Sequence, residues 1–332
     1  MHNKKRVAFL LTELLVISLL LFLFLKTLNI NEFRKYLKIL KPQNILVILL
    51  FQFSVQLLGS VQWRILMRQA EVERGFFNIL KARISGYSVS YLTPSLYIGG
   101  EPVRAGMIKD PDTSYNKIYA TVTLDKYIEL FTKFPAIVTG LSFMIFFFNP
   151  KPILIVISAI LMLSLIASFF FVMVKLLHDR AFIKRISKKI LRPIIKSNPR
   201  IAVKIYSFIK AFEREITLII HEKKYFYLAM TIGLTISMIE VCQTYYILCL
   251  MQFPSMINAF IIFGSSLFLA IFTIIPANLG GMEGVNLFIF SLLKMGPERG
   301  LTYTIILRLG HLSFVAIGLT MLLISRIQGK QR

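Results

Sequence analysis

The sequence has few of the side chains on which disulfide scaffolds, metal centres and most soluble enzymes depend. Among 332 residues there are two cysteines, four histidines and 16 acidic residues. Cys242 and Cys249 lie seven positions apart in one apolar run, so they would share a helix face but be too distant to bridge. No histidine pair has the spacing of a zinc-binding motif. The composition therefore excludes a disulfide framework and predicts no metal site.

Signatures of nucleotide chemistry and of nucleophilic hydrolysis are also missing. The sequence has no Walker motif, no Gly-x-Ser-x-Gly and no Asp-x-Asp on a loop. We therefore expect no cofactor. The sequence gives little support for catalysis of the kind that soluble enzymes carry out. Without an ATP site, any transport would run downhill or be coupled to an ion gradient.

The scarcity of acidic residues leaves a large positive charge. The 39 Lys and Arg give a formal net charge of +23. In a soluble protein this excess would suggest nucleic acid. Here the basic residues lie mainly between apolar runs, where the positive-inside rule places them. We expect no nucleic-acid partner, and an attraction to anionic lipids of about 1 kcal/mol per residue near the membrane surface.

Hydrophobic residues, by contrast, are abundant. They make up 56% of the chain, against roughly 45–50% in soluble domains. Runs such as 7–25 and 153–174 match the roughly 20 apolar residues that cross a bilayer as a helix. They show no period-2 alternation, which excludes a β-barrel. We predict an all-α polytopic integral membrane protein with about eight transmembrane helices, two broken or re-entrant segments and both termini in the cytoplasm.

The pattern predicts one transmembrane domain over residues 1–332. Predicted spans lie at about 7–25, 44–67, 116–148, 153–176, 225–250, 257–275 and 301–324, with a short apolar helix at 285–294. Residues 178–224 carry 13 Lys and Arg among apolar residues, which indicates a basic cytoplasmic helical segment. Residues 74–92 are ambiguous, because Lys81 and Arg83 would each cost about 2.5–3.5 kcal/mol near the bilayer centre. A surface or re-entrant helix is favoured there.

A stretch that occurs twice interrupts the apolar pattern. Residues 94–104 read PSLYIGGEPVR and residues 276–285 read PANLGGMEGV. Each has a proline, an apolar spacer, a Gly-Gly pair that frees the backbone, and a glutamate. Short Gly/Pro-interrupted segments in two parts of a chain are typical of transporter sites. We predict that the two stretches form one polar site in the membrane; the alternative is that both are ordinary turns between spans.

Two further patterns select site residues. Pro102 suits the first position of a helix, whose free N–H groups favour an anion, and Arg104 offers a fork for phosphate. Ionisable residues in apolar runs need partners. Residues 125–133 can pair along one helix, and Arg308 can pair with Glu240 or Glu283. The candidate substrate-binding residues are Gly99, Gly100, Glu101, Arg104, Asp125, Lys126, Gly280, Gly281, Glu283 and Arg308.

The motifs carry a family resemblance. The run YLTPSLYIGGEPVRA at 91–105, and Ile275-Pro276 followed by Gly280-Gly281 and Glu283, resemble the signature of the lysylphosphatidylglycerol synthase transmembrane family. The resemblance covers about 7–326. That family tends to have an acidic-basic pair after the first motif, where this chain has Asp125-Lys126, although Glu-Arg is more usual.

The resemblance implies a membrane protein that moves or binds lipids. In bifunctional relatives this domain translocates an aminoacylated phosphatidylglycerol, which a separate soluble domain makes from aminoacyl-tRNA. Because this chain ends at Arg332, just after the last predicted span, we expect a stand-alone member without the synthase domain. The resemblance does not restrict stand-alone members to that lipid. Other lipids, including isoprenoid-linked glycans, are alternative substrates.

We therefore expect a lipid translocase of a prokaryotic cytoplasmic membrane, with membrane lipids as its partners. The lipid phosphate would meet Arg104 and the helix from Pro102. Glu101 and Glu283 would meet a cationic or hydroxyl-bearing part of the headgroup, or a coupling proton. One alternative is a membrane-embedded lipid-phosphate transferase with either glutamate as base. The other is a non-catalytic partner of a lipid-modifying enzyme, docked through 178–224.

Overall fold

A computed structural model describes residues 40–93, 99–111, 113–147, 222–270 and 276–329, with 38, 160, 164, 167 and 219 as isolated positions. Within these ranges the chain forms eight α-helices and one 3-10 turn, and no strand. The all-α class is therefore confirmed. Apart from the single positions, the predicted spans at 7–25 and 153–176 lie outside the described residues, as does the basic segment up to 221.

Four of the helices are long and apolar enough to cross a membrane. The helices are α1 Pro42–Gln69, α2 Phe76–Leu92, α3 Glu101–Ile108, α4 Tyr115–Phe147, α5 Lys223–Leu250, α6 Met256–Ala270, α7 Gly281–Leu292 and α8 Pro297–Gly329, with the 3-10 turn Pro276–Asn278 before α7. By length and composition α1, α4, α5 and α8 are candidate spans, and α6 and α7 are shorter apolar helices. The spans predicted at 44–67, 116–148, 225–250 and 301–324 are confirmed as helices.

Both repeated stretches interrupt the helical run, as predicted. α3 begins at Glu101, directly after the first Gly-Gly pair. α7 begins at Gly281, which is the second glycine of the second pair. The prediction of a short helix at 285–294 is wrong about where the helix starts. α7 begins four residues earlier, at Gly281. The reason is local: the Glu283 carboxylate accepts a hydrogen bond from the Gly280 N–H at 2.9 Å, which caps the helix at that point.

α2 is a continuous helix of 17 residues that packs against α1, α3 and α8. Its two basic residues, which made the sequence ambiguous, have different surroundings. Lys81 is exposed, whereas Arg83 is buried beside Asp125 of α4. A buried arginine with a carboxylate partner avoids most of the cost of an isolated charge. Arg83 therefore does not prevent α2 from packing inside the helical assembly.

The apolar core has two parts, near opposite ends of the long helices. One contains Trp63 and Leu66 of α1 with Phe226 of α5. The other contains Ile48 of α1 with Ile247 of α5. The middle of these helices is therefore left for polar side chains, which is where the candidate site lies.

α4 and α6 approach closely through small residues. A Cβ added to Gly264 would lie 2.5 Å from the backbone oxygen of Ala136, and one added to Gly140 would lie 2.3 Å from that of Phe260. Small residues at such positions let helix backbones approach in membrane proteins.

Replacing Gly264 with valine should therefore destabilise the protein by about 1–3 kcal/mol through overpacking. Thermal unfolding in detergent measures this loss. Gly106→Ala is the matched control, because a Cβ at Gly106 meets no atom within 4 Å. An unchanged unfolding temperature for Gly264→Val would contradict the close packing of α4 on α6.

Candidate functional site

A cavity of about 220 Å³ lies among the helices, and each of the eight contributes at least one lining side chain. On α1 and α5 its residues fall between the two apolar cores: Gln52 and Gln56 on α1, Ile236 and Glu240 on α5. Seven of the lining side chains are charged. They are Arg83, Glu101, Arg104, Lys126, Glu129, Lys133 and Glu240.

Asp125 is the centre of the charge network beside this cavity. Its side chain is 0% exposed, and it accepts three side-chain hydrogen bonds. Gln62 Nε2 donates at 2.8 Å, Arg83 Nη1 at 2.7 Å and Arg104 Nη2 at 2.6 Å. Because these donors lie on α1, α2 and α3, one carboxylate of α4 holds four helices together.

The sequence predicted that the Arg104 guanidinium would offer a fork of donors to a phosphate. In the structure this guanidinium is already partly bound. It is bonded to Asp125 and lies 4.1 Å from the centroid of the Trp63 ring, a cation–π contact. Trp63 is itself held by a 3.0 Å hydrogen bond to Thr121. Arg104 does line the cavity, but one of its nitrogens is already committed. Its contact with a phosphate stays a prediction.

The first Gly-Gly pair serves close packing and not an unusual backbone conformation. The φ of Gly100 is −91°, which other residues also adopt. A Cβ on Gly100, however, would lie 1.8 Å from the backbone oxygen of Gly86, and one on Gly99 would lie 2.2 Å from the Thr93 hydroxyl. The Gly100 N–H also donates to Ser90 Oγ at 2.8 Å. These contacts press the start of α3 against α2, which places Glu101 and Arg104 at the cavity.

The pairing predicted along α4 is only partly correct. Lys126 pairs with Glu129 on the same helix at 3.1 Å, but Lys133 pairs with Glu240 of α5 at 2.8 Å. Asp125 and Lys126, although adjacent in the chain, bind different partners. Successive residues of a helix point in directions about 100° apart, so Asp125 faces α1–α3 while Lys126 faces the cavity.

Glu101 is the exception among the charged groups of the cavity. The residue is 6% exposed and lines the cavity. Within the described ranges it takes part in no ion pair and no side-chain hydrogen bond, although Tyr119 of α4 is near enough to be affected by its charge. An ionisable group buried in this way inside a membrane protein is a strong candidate for function.

Glu283, its counterpart in the second stretch, is fully engaged. Arg308 binds both of its carboxylate oxygens, with Nη2–Oε2 at 2.8 Å, and Gly280 N–H donates to Oε2. Of the two partners predicted for Arg308, the structure therefore has Glu283. The φ of Gly280 is +79°, so here the glycine does supply a left-handed conformation.

Arg308 also fixes the turn before α7. Its Nη1 and Nη2 donate to the backbone oxygens of Ala277 and Asn278, each at 3.0 Å, and Nη1 donates to the Tyr91 hydroxyl at 3.2 Å. Ala277 and Asn278 both have positive φ, which the arginine helps to hold. Neither Glu283 nor Arg308 lines the cavity, whereas Met282 does. A role of Gly280, Gly281, Glu283 and Arg308 in binding stays a prediction.

Several cavity residues were not among the predicted site residues. The most informative are Arg83, Glu129, Lys133, Glu240 and His311. All five are ionisable residues within or beside apolar sequence, and that signal alone could have selected them. His311 shares a hydrogen bond with the Tyr87 hydroxyl and stacks on Tyr91 with ring centroids 5.6 Å apart. In the part of the chain that the structure describes, no cluster of His, Cys, Asp or Glu is arranged to hold a metal ion.

Comparison with known proteins identifies the family. The sequence model of the lysylphosphatidylglycerol synthase TM region matches residues 10–318. The chain therefore belongs to this family, and it is a multi-pass membrane protein. Two relatives from Methanothermobacter thermautotrophicus are both called UPF0104 membrane protein. One is 25% identical over 288 residues, covering 84% of each chain. The other is 21% identical over 291 residues, covering 83% of this chain and 81% of the relative.

Replacing Asp125 with asparagine should be strongly destabilising. The change leaves two buried arginines without their carboxylate, which costs about 3–5 kcal/mol in comparable cases. Glu71→Gln is the control, because Glu71 pairs with Lys117 at the surface and its side chain is 88% exposed. That change should cost no more than about 1 kcal/mol. Equal unfolding free energies for the two variants would contradict the central role of Asp125.

The glutamates of the two repeated stretches should respond differently to the same substitution. Glu283→Gln removes charge-assisted bonds to Arg308 and should destabilise by about 1–3 kcal/mol. Glu101→Gln removes a buried carboxylate that has no ion pair with any described residue, and it should leave stability unchanged or raise it. Denaturant unfolding in detergent distinguishes them, and a larger loss for Glu101→Gln would show that Glu101 has a structural partner.

Proposed function

We propose that this protein binds the phosphate headgroup of a membrane lipid in the cavity and translocates that lipid across a prokaryotic cytoplasmic membrane. The observation that carries the proposal is the charged cavity midway along the candidate spans. Membership of the lysylphosphatidylglycerol synthase transmembrane family supports a lipid as the ligand.

The depth of the cavity argues for a ligand that crosses the membrane. Gln56 lies at the middle of α1, and Glu240 lies in the central part of α5. Charged side chains at such depth cost about 2.5–3.5 kcal/mol each when they face hydrocarbon. A membrane protein keeps them where they face a polar pathway, and transporters bind their substrates near the midplane.

The lysines are the most accessible cations for a phosphate. The side chains of Lys126 and Lys133 are 14% and 16% exposed, whereas those of Arg83 and Arg104 are 8% and 7% exposed and share Asp125. An ammonium group with three rotatable donors can turn from a carboxylate to a phosphate. Lys126 and Lys133 would therefore meet the phosphate first, with Arg104 behind them, while the acyl chains stay in the lipid.

A proteoliposome assay with fluorescent phosphatidylglycerol tests this assignment. Lys126→Gln/Lys133→Gln should lower the initial rate of lipid movement by about tenfold or more, since each contact between a charged group and phosphate contributes about 1.5–3 kcal/mol. Lys117→Gln, at the surface pair with Glu71, should keep the wild-type rate.

A further variant separates lost charge from lost folding. Lys133→Gln/Glu240→Gln removes both members of one ion pair, so it leaves no unpaired charge, and it should still slow lipid movement because the cation is gone. Wild-type rates in both double variants would contradict the proposal. A covalently altered lipid in the assay would instead support a membrane-embedded lipid-phosphate transferase.

A further inference from the structure

Among the described residues, the charged side chains at the cavity are paired with one exception. Four described carboxylates lie in the cavity or directly beside it, and three have cations: Asp125 has Arg83 and Arg104, Glu129 has Lys126, and Glu240 has Lys133. The fourth, Glu101, is 6% exposed and has no ion pair with any described residue.

The charge balance of the cavity depends on the protonation of Glu101. Its four cations are Arg83, Arg104, Lys126 and Lys133, and its other three anions are Asp125, Glu129 and Glu240. With Glu101 ionised the set is neutral, and with Glu101 protonated it has one excess positive charge. A cavity of low dielectric constant disfavours an unbalanced charge. A ligand with a single negative charge therefore fits the protonated form.

We infer that Glu101 is the proton site of the proposed lipid carrier: a headgroup with one negative charge binds together with one proton, which Glu101 takes from water. The inference rests on the proposed function, since it presupposes that the cavity holds an anionic headgroup. Its consequence is that a proton gradient across the membrane can drive lipid movement without an ATP site.

Other titratable groups line the same cavity as Glu101 or lie directly beside it. They are Arg83 and Tyr87 on α2, Arg104 on α3, Tyr119, Asp125, Lys126, Glu129 and Lys133 on α4, Glu240 on α5, and Tyr303 and His311 on α8. The acids other than Glu101 already have cations. His311 is the one competitor that ordinarily titrates near neutral pH, so the experiment must separate it from Glu101.

Calorimetric titration of the purified full-length chain with a short-chain phosphatidylglycerol measures the linkage. Titrations in buffers of different ionisation enthalpy give the number of protons taken up per lipid bound. The wild type should take up about one proton per lipid at alkaline pH, and its affinity should fall about tenfold per pH unit there. Protonation is needed for binding, so affinity is highest at low pH and is lost as pH rises.

Two variants identify the group that takes the proton. Glu101→Gln should bind the lipid with no proton uptake and an affinity independent of pH, because its amide is always neutral. Glu71→Gln, which changes an exposed carboxylate outside the cavity, should still take up a proton. An unfolding temperature of Glu101→Gln at or above the wild-type value shows that the variant is folded.

The outcomes separate this inference from the proposed function. Lipid binding by the wild type with no proton uptake, or proton uptake that persists in Glu101→Gln, would overturn the inference and leave the lipid site in place. Persistent uptake would assign the proton to another titratable group of the cavity. No binding of the lipid by the wild type at any pH would overturn the proposed function itself.

Discussion

The shared hydrogen bonding of Asp125 is the interaction on which the site depends. A carboxylate with no exposed surface holds Gln62, Arg83 and Arg104, and so fixes α1, α2 and α3 against α4. Buried charges are tolerated only when partners replace the lost water. Here that requirement is met between helices, so the same contacts that satisfy the arginines also fix the shape of the cavity.

The two repeated stretches show how one sequence pattern serves two purposes. In the second, Glu283 binds Arg308 and the Gly280 N–H, so the glutamate is consumed in holding a turn with positive φ. In the first, the corresponding position of the turn is held by packing of Gly100 against Gly86, and Glu101 is left facing the cavity. The first stretch can therefore bind a ligand or a proton, while the second supports the helix that borders the cavity.

The sequence predicts well the four long helices that the structure describes, because runs of about 20 apolar residues have few alternatives in a membrane. It also predicts the two interruptions, since Gly and Pro act locally. Pairings between residues that are distant in the sequence are harder to predict from it. Arg83 is 42 positions from Asp125, and the sequence shows only the cost of burying it. Whether Glu101 or Glu283 is bound by a cation depends on Arg308, which lies 25 positions beyond Glu283 and far from the first stretch.

Local patterns also left the reason for Gly99 and Gly100 undetermined. A Gly-Gly pair is equally consistent with positive φ and with a close contact, and only the approach of α2 to α3 decides between them. In the same way, a helix with Asp125, Lys126, Glu129 and Lys133 is consistent with pairing along its own surface. The partners are set by the neighbouring helices, which supply Arg83, Arg104 and Glu240.

Native mass spectrometry of the purified protein tests most directly whether a phosphate-bearing lipid occupies the cavity. Wild-type protein released from mild detergent should retain such a lipid, and Lys117→Gln should retain it equally. Lys126→Gln/Lys133→Gln should lose most of it, because both accessible cations of the cavity are gone. Equal retention by all three proteins would place the lipid outside the cavity and contradict its assignment as the lipid site.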